Sequence, residues 1–191
     1  IKSMCFMKEL SLNILDVAKN SVTAGATLIE ITISETDETM EIMIRDNGCG
    51  MDEETINSVT NPFYTTRTTR SVGLGVPLFK MEAEMTGGWL KITSYSKEEY
   101  PDRHGTAVTA FFNKKHIDFI GLGDMVSTIT TLVGGSPDVD FIFLHTYGEK
   151  SVSVDTREIR VAVGEDISLD NIEILLWIEN SLKEEYGNLY Y

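Results

Sequence analysis

Two carboxylates and one amide occupy positions from which they could bind a proton, a hydrogen-bond donor or a cation. Asp16 and Asn20 stand four residues apart in a segment with helical spacing of apolar residues, so their side chains are neighbours on one face. Asp46 ends the strand-like run IMIRD and is followed by Gly48 and Gly50. A carboxylate accepts hydrogen bonds, and an amide oxygen suits a hard cation. The glycines indicate either a tight Asn-Gly turn or close approach of another molecule to the backbone.

The elements that position these residues follow from the hydrophobic pattern. A helical stripe predicts a helix over residues 8 to about 24, and strict alternation predicts a strand over 28–34. A polar hairpin connection then leads to the strand that ends at Asp46. Proline near the start and glycines past the end mark a helix from about 75 to 86. Two further strand patterns lie within residues 89–112, so helices pack on a sheet.

Residues 51 to 72 lack sustained periodicity, apart from a short helix expected at 52–59. This loop is long enough for us to expect a lid. The pattern changes again near residue 115, where we place a domain boundary. We therefore predict an α+β protein: a two-layer α/β sandwich over residues 1–115 with a small α+β C-terminal module, of unknown role, over 116–191.

The C-terminal module has its own local signals. A helix is expected over MVSTITTLV, followed by a hairpin that turns at Gly148. Two helices follow, and their starts have capping-box spacing, at Asp155 with Glu158 and at Asp170 with Glu173. The apolar stripe of the last helix is more typical of a core or an interface than of a cofactor site.

Charge and composition exclude several classes of function. The formal net charge of −14 argues against a DNA- or RNA-binding surface, which requires Lys and Arg on phosphates. The longest apolar runs are too short to span a bilayer, and no secretory signal is evident. The two cysteines lack metal-ligand spacing. These features predict a cytoplasmic protein that binds neither membrane nor nucleic acid, and we give the first six residues no functional weight.

Four separated pieces can now be considered together: LDVAKNSVTAGAT, DNGCGM, VGLGV and HGTAVTAFF. In this order and spacing they resemble the N, G1, G2 and G3 boxes of the GHKL superfamily, which includes DNA gyrase, Hsp90, histidine kinases and MutL. The resemblance covers residues 8 to about 113. It implies the Bergerat ATP-binding fold, with ATP and Mg²⁺ as cofactors.

The resemblance assigns roles around the adenine base. It implies that Asp46 accepts a hydrogen bond from the adenine amino group, because a carboxylate selects a donor. It implies that Gly48 and Gly50 let the base lie against the backbone, within a G1 box that Met51 completes. Thr106 would assist near the base through a water molecule. Considered alone, Thr106 would be a strand residue whose hydroxyl binds the neighbouring backbone.

The resemblance also assigns a phosphate end. Asn20 matches the asparagine that binds magnesium, although alone it could be a helix-end residue bonded locally. Gly73, Leu74 and Gly75 precede or begin a helix, where backbone N–H groups and the helix dipole receive phosphates. Arg67 could neutralise the outer phosphates, or it could be a solvated loop charge.

Three positions depart from the family pattern. Asp16 occupies the position where gyrase, MutL and the anti-sigma kinases carry a glutamate base, which affects the expected hydrolysis rate. Thr23 and Ser71 replace an aspartate and a glycine, and there we expect only local changes of fit. None of the three histidines lies in a phosphoacceptor motif. We therefore do not expect a complete histidine kinase, although the chain could be a catalytic domain that acts on a partner.

Three functions remain open from the sequence. The first is an ATP-dependent protein kinase in which Asp16 deprotonates or orients an acceptor hydroxyl. The second is a conformational switch with slow ATP hydrolysis, and the third is a binding module that uses the nucleotide structurally. We favour an ATP-binding signalling module, either kinase or switch, that acts on a protein partner and could form oligomers.

Overall fold

The computed structural model describes residues 9–60, 75–164 and 167–190, which form a six-stranded sheet and six helices. The helices are α1 Leu10–Thr23, α2 Glu53–Thr60, α3 Gly75–Met85, α4 Met125–Gly135, α5 Thr156–Val163 and α6 Ile172–Leu189. The strands are β1 Leu28–Glu35, β2 Thr39–Asp46, β3 Trp89–Tyr95, β4 Gly105–Asn113, β5 Asp140–Tyr147 and β6 Lys150–Asp155. The elements predicted from periodicity are therefore confirmed.

The strands are ordered β3-β4-β2-β1-β5-β6. All neighbours pair antiparallel except β1 and β5, which pair parallel from Leu28 opposite Asp140 to Glu35 opposite Tyr147. The sheet thus continues across residue 115, where the sequence pattern changes. Strands on both sides of that position share one hydrogen-bonded ladder.

The core lies between one face of the sheet and the helices. On β1, the alternating residues Ile29, Ile31 and Ile33 are fully buried, as their spacing predicts. Leu10 and Ile14 of α1 are equally buried, and α1 packs against both α3 and α4. This arrangement confirms the mixed α+β class and the packing of helices on a sheet.

A buried polar cluster fixes the C-terminal helix to the far end of β1. Oε1 of Glu35 lies 2.6 Å from Lys114 Nζ, and Oε2 lies 2.8 Å from His145 Nε2 and 2.9 Å from Tyr190 Oη. Burial alone would raise the pKa of Glu35, but hydrogen bonds from His145, Lys114 and Tyr190 outweigh it and lower the pKa to about 2. The ionised carboxylate therefore joins β1, β5 and the end of α6.

The hairpin turn between β5 and β6 and the starts of α5 and α6 can be compared with the predictions. Gly148 has φ of 60° in the hairpin turn, and the Asp155 side chain accepts a hydrogen bond from Arg157 N, so both predictions are confirmed. The predicted cap at Asp170 is wrong: Asn171 caps α6, since its side chain accepts from the Glu173 N–H at 2.8 Å. Asparagine one residue later satisfies the same backbone donor.

None of the described helices is long and apolar enough to cross a membrane.

Candidate functional site

Asp46 lies at the end of β2, opposite Ile29 of β1 and Thr106 of β4. Its Oδ2 accepts a hydrogen bond of 2.6 Å from Ser21 Oγ on α1. Its Oδ1 accepts from Gly48 N at 2.9 Å and from Thr106 N at 3.3 Å. A carboxylate offers about four acceptor positions, so three donors fix its orientation and leave one position for a further donor.

The loop that follows Asp46 is attached to the end of α1 and the start of β1. Oδ1 of Asn47 accepts from Thr27 N at 2.9 Å and from Leu28 N at 3.0 Å. Cys49 N donates to Ala24 O at 2.9 Å. Asn47 therefore serves as more than a turn residue, because its side chain satisfies backbone donors that β1 leaves unpaired.

The same loop is attached on its other side to β3 and to the turn before β4. Met51 N donates to Ser94 Oγ at 2.8 Å, and His104 Nδ1 lies 2.5 Å from Gly48 O. Because a carbonyl oxygen can only accept, His104 Nδ1 carries the proton in this contact. The loop is held from both sides, so the backbone beside Asp46 is preorganised.

Gly48 and Gly50 are both crowded by the protein itself. A Cβ on Gly50, whose φ is +67°, would lie 1.9 Å from Tyr95 O. A Cβ on Gly48 would lie 3.0 Å from Ala24 O and 3.0 Å from Asp46 Oδ1. The protein's own backbone therefore requires a glycine at position 50 and crowds position 48. Accommodation of a base against them stays a prediction.

Thr106 and Ser94 face each other across the β3–β4 ladder. Their hydroxyl oxygens are 2.8 Å apart, and Ser94 Oγ also lies 3.1 Å from Gly105 O, to which it can donate. Thr106 thus bonds a neighbouring side chain through its hydroxyl, rather than the backbone. Neither Ser94 nor Ser21 was predicted from the sequence, although Ser21 directly follows Asn20 in the first motif.

Asp16 and Gly75 bring α1 and the start of α3 into contact. A Cβ on Gly75 would lie 2.8 Å from Asp16 Cβ and 3.3 Å from Asp16 Oδ2. Glycine at this position thus lets the first turn of α3 approach the Asp16 carboxylate. Asn20, one turn further along α1, is exposed and precedes Ser21, the partner of Asp46. Asp16 and Asn20 therefore lie on α1, and Asp46 is hydrogen-bonded to the same helix through Ser21.

Three expected phosphate-binding residues, Arg67, Gly73 and Leu74, lie outside the described residues. Within residues 9–60, 75–164 and 167–190, no group of three or more His, Cys, Asp or Glu side chains is placed to hold a metal ion. A cation at Asn20 would consequently take most of its ligands from bound phosphate and water.

Comparison with known proteins assigns the chain to one family, and its relatives by sequence include histidine kinases. Residues 6–116, more than half of the chain, match the family described as histidine kinase-, DNA gyrase B- and HSP90-like ATPase. Sensor histidine kinase YvrG of Bacillus subtilis is 30% identical over 93 residues, which are 47% of this chain and 15% of that protein. Sporulation kinase A of the same organism is 28% identical over 109 residues, 57% of this chain and 17% of that kinase. The chain thus spans less than a fifth of these two relatives.

Solved structures share the fold at low sequence identity. The Aquifex aeolicus MutL ATPase domain complexed with ADP has a TM-score of 0.51 at 16% identity, covering 73% of this chain and 60% of that one. The N-terminal domain of a DNA repair protein also has a TM-score of 0.51, at 15% identity, covering 78% of this chain and 53% of that one. These matches confirm the fold that the four motifs imply.

Proposed function

Since the chain belongs to the histidine kinase-, DNA gyrase B- and HSP90-like ATPase family, we propose that it binds Mg-ATP as a signalling module. The nucleotide would lie between α1, the loop after Asp46 and the start of α3. The observation that carries this proposal is the Asp46 carboxylate, which three donors orient while one acceptor position remains.

Asp46 gives the site its base preference in this proposal. Adenine presents an amino group to an acceptor, whereas guanine presents a carbonyl oxygen at the equivalent ring position. The carboxylate would bond the first and repel the second. Ser21 and the Gly48 N–H hold the carboxylate in place, and Thr106 contributes its remaining hydroxyl capacity through a water molecule.

The phosphates would be placed at the first turn of α3. Gly75 begins that helix and lies against Asp16, so backbone N–H groups and the positive end of the helix dipole are close to a carboxylate. Asn20 would supply an amide oxygen to magnesium, which neutralises phosphate charge when bound. Gly73, Leu74 and Arg67, which lie outside the described residues, are assigned to the phosphate end only by the family resemblance.

Asp16 is the candidate catalytic residue. It would take the proton from an attacking hydroxyl or water as a new P–O bond forms at the γ-phosphorus and the bond to ADP breaks. Aspartate is one methylene shorter than the glutamate of related enzymes. We therefore expect slow turnover, with transfer to a protein partner as the proposed reaction.

A conformational switch is the second candidate. β5 is hydrogen-bonded along the whole of β1, and α4 packs against α1, which carries Asp16 and Asn20. A movement of α1 on nucleotide binding would therefore displace α4, which it contacts in the C-terminal part of the chain. This physical continuity favours a protein that reports its nucleotide state to a partner.

Incubation with ATP labelled in the γ-phosphate, alone and with a cell lysate, separates the two candidates. Label on a discrete protein indicates the kinase, and free labelled phosphate alone indicates slow hydrolysis in a switch. The Asp16→Asn variant is the matched control, since an amide cannot accept the proton. Equal turnover by this variant and the wild type would show that Asp16 takes no part in the reaction. Absence of ATP binding, measured separately by calorimetry, would refute both candidates.

A further inference from the structure

Three large apolar side chains are exposed on the first half of α6. Ile172 is 67% exposed, Leu176 is 49% exposed and Trp177 is 58% exposed. Leu176 lies one turn beyond Ile172, and Trp177 follows it, so the three side chains project from one side of the helix. We call these three residues the α6 patch. Because α6 lies outside residues 6–116, the family match does not account for this surface.

The other side of α6 already supplies the contacts that hold the helix in place. Ile174, Ile178 and Leu182 are buried, and α6 packs against β6 and α4. The Asn171 side chain caps the first turn, where it accepts from the Glu173 N–H at 2.8 Å. A helix at a protein surface normally carries polar residues on its outer side. An apolar outer side therefore indicates contact with another molecule.

The size of the α6 patch favours a short segment over a second copy of the chain. A whole large side chain presents roughly 200 Å², so the three exposed fractions amount to on the order of 350 Å². A patch of this size is often functional, but a stable dimer buries about 800 Å² on each partner. One apolar face of a partner helix, with residues at i, i+3, i+4 and i+7, is sufficient to cover the α6 patch.

The charged residues beside the α6 patch are mostly acidic: Asp170, Glu173, Glu179 and Glu184. Lys183, the single basic residue of α6, is already paired with Glu179. The chain as a whole has a formal net charge of −14. Two copies of this surface would repel each other, whereas lysine or arginine side chains would complement it. Charge and size thus favour the same kind of partner.

We propose that the α6 patch binds a basic amphipathic helix of a protein partner. The apolar face of that helix would pack on Ile172, Leu176 and Trp177, and its lysine or arginine side chains would lie against the surrounding carboxylates. Trp177 would be the main anchor, since buried tryptophans carry much of the binding energy of interfaces. A lipid surface fits less well, because helices that lie on membranes carry Lys and Arg beside their apolar face. This proposal does not depend on nucleotide binding, so either can fail alone.

Tryptophan fluorescence of the full chain tests the proposal. The chain has two tryptophans, Trp89 and Trp177, so the Trp89→Phe variant reports on Trp177 alone. The probe is a synthetic helix of about 18 residues with leucines at helical spacing and lysines elsewhere. At physiological salt and without nucleotide, we expect a saturable blue shift of the Trp177 emission. The same peptide with glutamates in place of the lysines should cause no shift, because its charge matches that of α6.

Anisotropy of the dye-labelled leucine–lysine peptide compares the variants. Trp177→Gln should weaken binding at least about tenfold, because an aromatic anchor is lost. Glu173→Lys should also weaken it and should allow the leucine–glutamate peptide to bind, a reversal that a folding defect would not produce. Trp89→Phe is the matched control and should leave the affinity unchanged, since Trp89 is 44% exposed on β3, at the other edge of the sheet from β6.

Several outcomes would overturn the proposal. Absence of binding, or equal affinity of the wild type and Trp177→Gln, would show that the α6 patch does not bind a basic helix. A dimer in sedimentation equilibrium that Trp177→Gln abolishes would assign the patch to a second copy of the chain. A blue shift of Trp177 with phosphatidylcholine vesicles, but not with the peptide, would assign it to lipid.

Discussion

Replacing Glu82 by glutamine should remove a pH dependence that this buried carboxyl imposes on folding stability. Burial raises the pKa of Glu82 from 4.5 to about 7, with Asn13 in partial opposition. At about 1.4 kcal/mol per pKa unit, this rise corresponds to about 3 kcal/mol between the two ends of the interval. Residue Glu82 is only 5% exposed, so solvent screens little of this free energy.

The direction follows from proton binding. Between pH 4.5 and about 7 the folded chain holds a proton on Glu82 that the unfolded chain has lost. Folding stability from this group therefore falls as the pH rises through that interval, and the loss is complete above about pH 7. Glutamine has no such titration, so the variant gains stability relative to the wild type as the pH rises.

Urea unfolding followed by tryptophan fluorescence, at several pH values from 4.5 to 8, measures this effect. We expect the unfolding free energy of Glu82→Gln minus that of the wild type to increase by about 3 kcal/mol across the series. If the new amide lowers the unfolding free energy by the same amount at every pH, that loss does not alter the increase with pH. Glu84→Gln should show no such increase. Parallel pH profiles of wild type and Glu82→Gln would show that folding does not raise the pKa of Glu82.

Other residues give further tests. Asn20→Ala should weaken ATP binding in magnesium but have little effect in EDTA by calorimetry; equal losses would make Asn20 a local helix-end residue. Asp16→Asn should retain ATP affinity and abolish phosphate release, whereas Asp16→Glu should maintain or raise release; turnover by Asp16→Asn would exclude the base. Glu35→Gln should cost about 3 kcal/mol at pH 7, a loss that shrinks as the pH falls from 4.5 towards 2, because hydrogen bonds stabilise the ionised form. Urea unfolding measures that loss, and a loss independent of pH would contradict it.

Local patterns were sufficient to predict the elements that carry the site. The alternation before Asp46 predicted a strand that ends at this carboxylate, and the stripe on α1 placed Asp16 and Asn20 one turn apart. These predictions depend only on the helical and strand periods, which neighbouring residues determine. They succeeded because the buried side of each element is apolar at regular intervals.

The partners of Asp46 could not be predicted in the same way. Ser21 and the Thr106 N–H approach it across 25 and 60 residues of chain, so only the assembled sheet brings them together. The parallel pairing of β5 with β1 was also hidden, because a hairpin pattern does not specify which edge it joins. A glycine at position 50 is compatible with any tight turn, so the sequence did not indicate a particular neighbour. The close approach of Gly50 to Tyr95 O depends on where β3 lies in the sheet.

Calorimetric titration with ATP and with GTP, on the wild type and on Asp46→Asn, measures whether the Asp46 carboxylate selects an adenine nucleotide. We expect the wild type to bind ATP in preference to GTP. We also expect Asp46→Asn to lose about tenfold to a hundredfold in ATP affinity, because one charge-assisted hydrogen bond is removed. Glu41→Gln, at an exposed position of the same strand, should bind ATP as the wild type does. Unchanged ATP affinity in a folded Asp46→Asn protein would show that Asp46 does not bind the nucleotide.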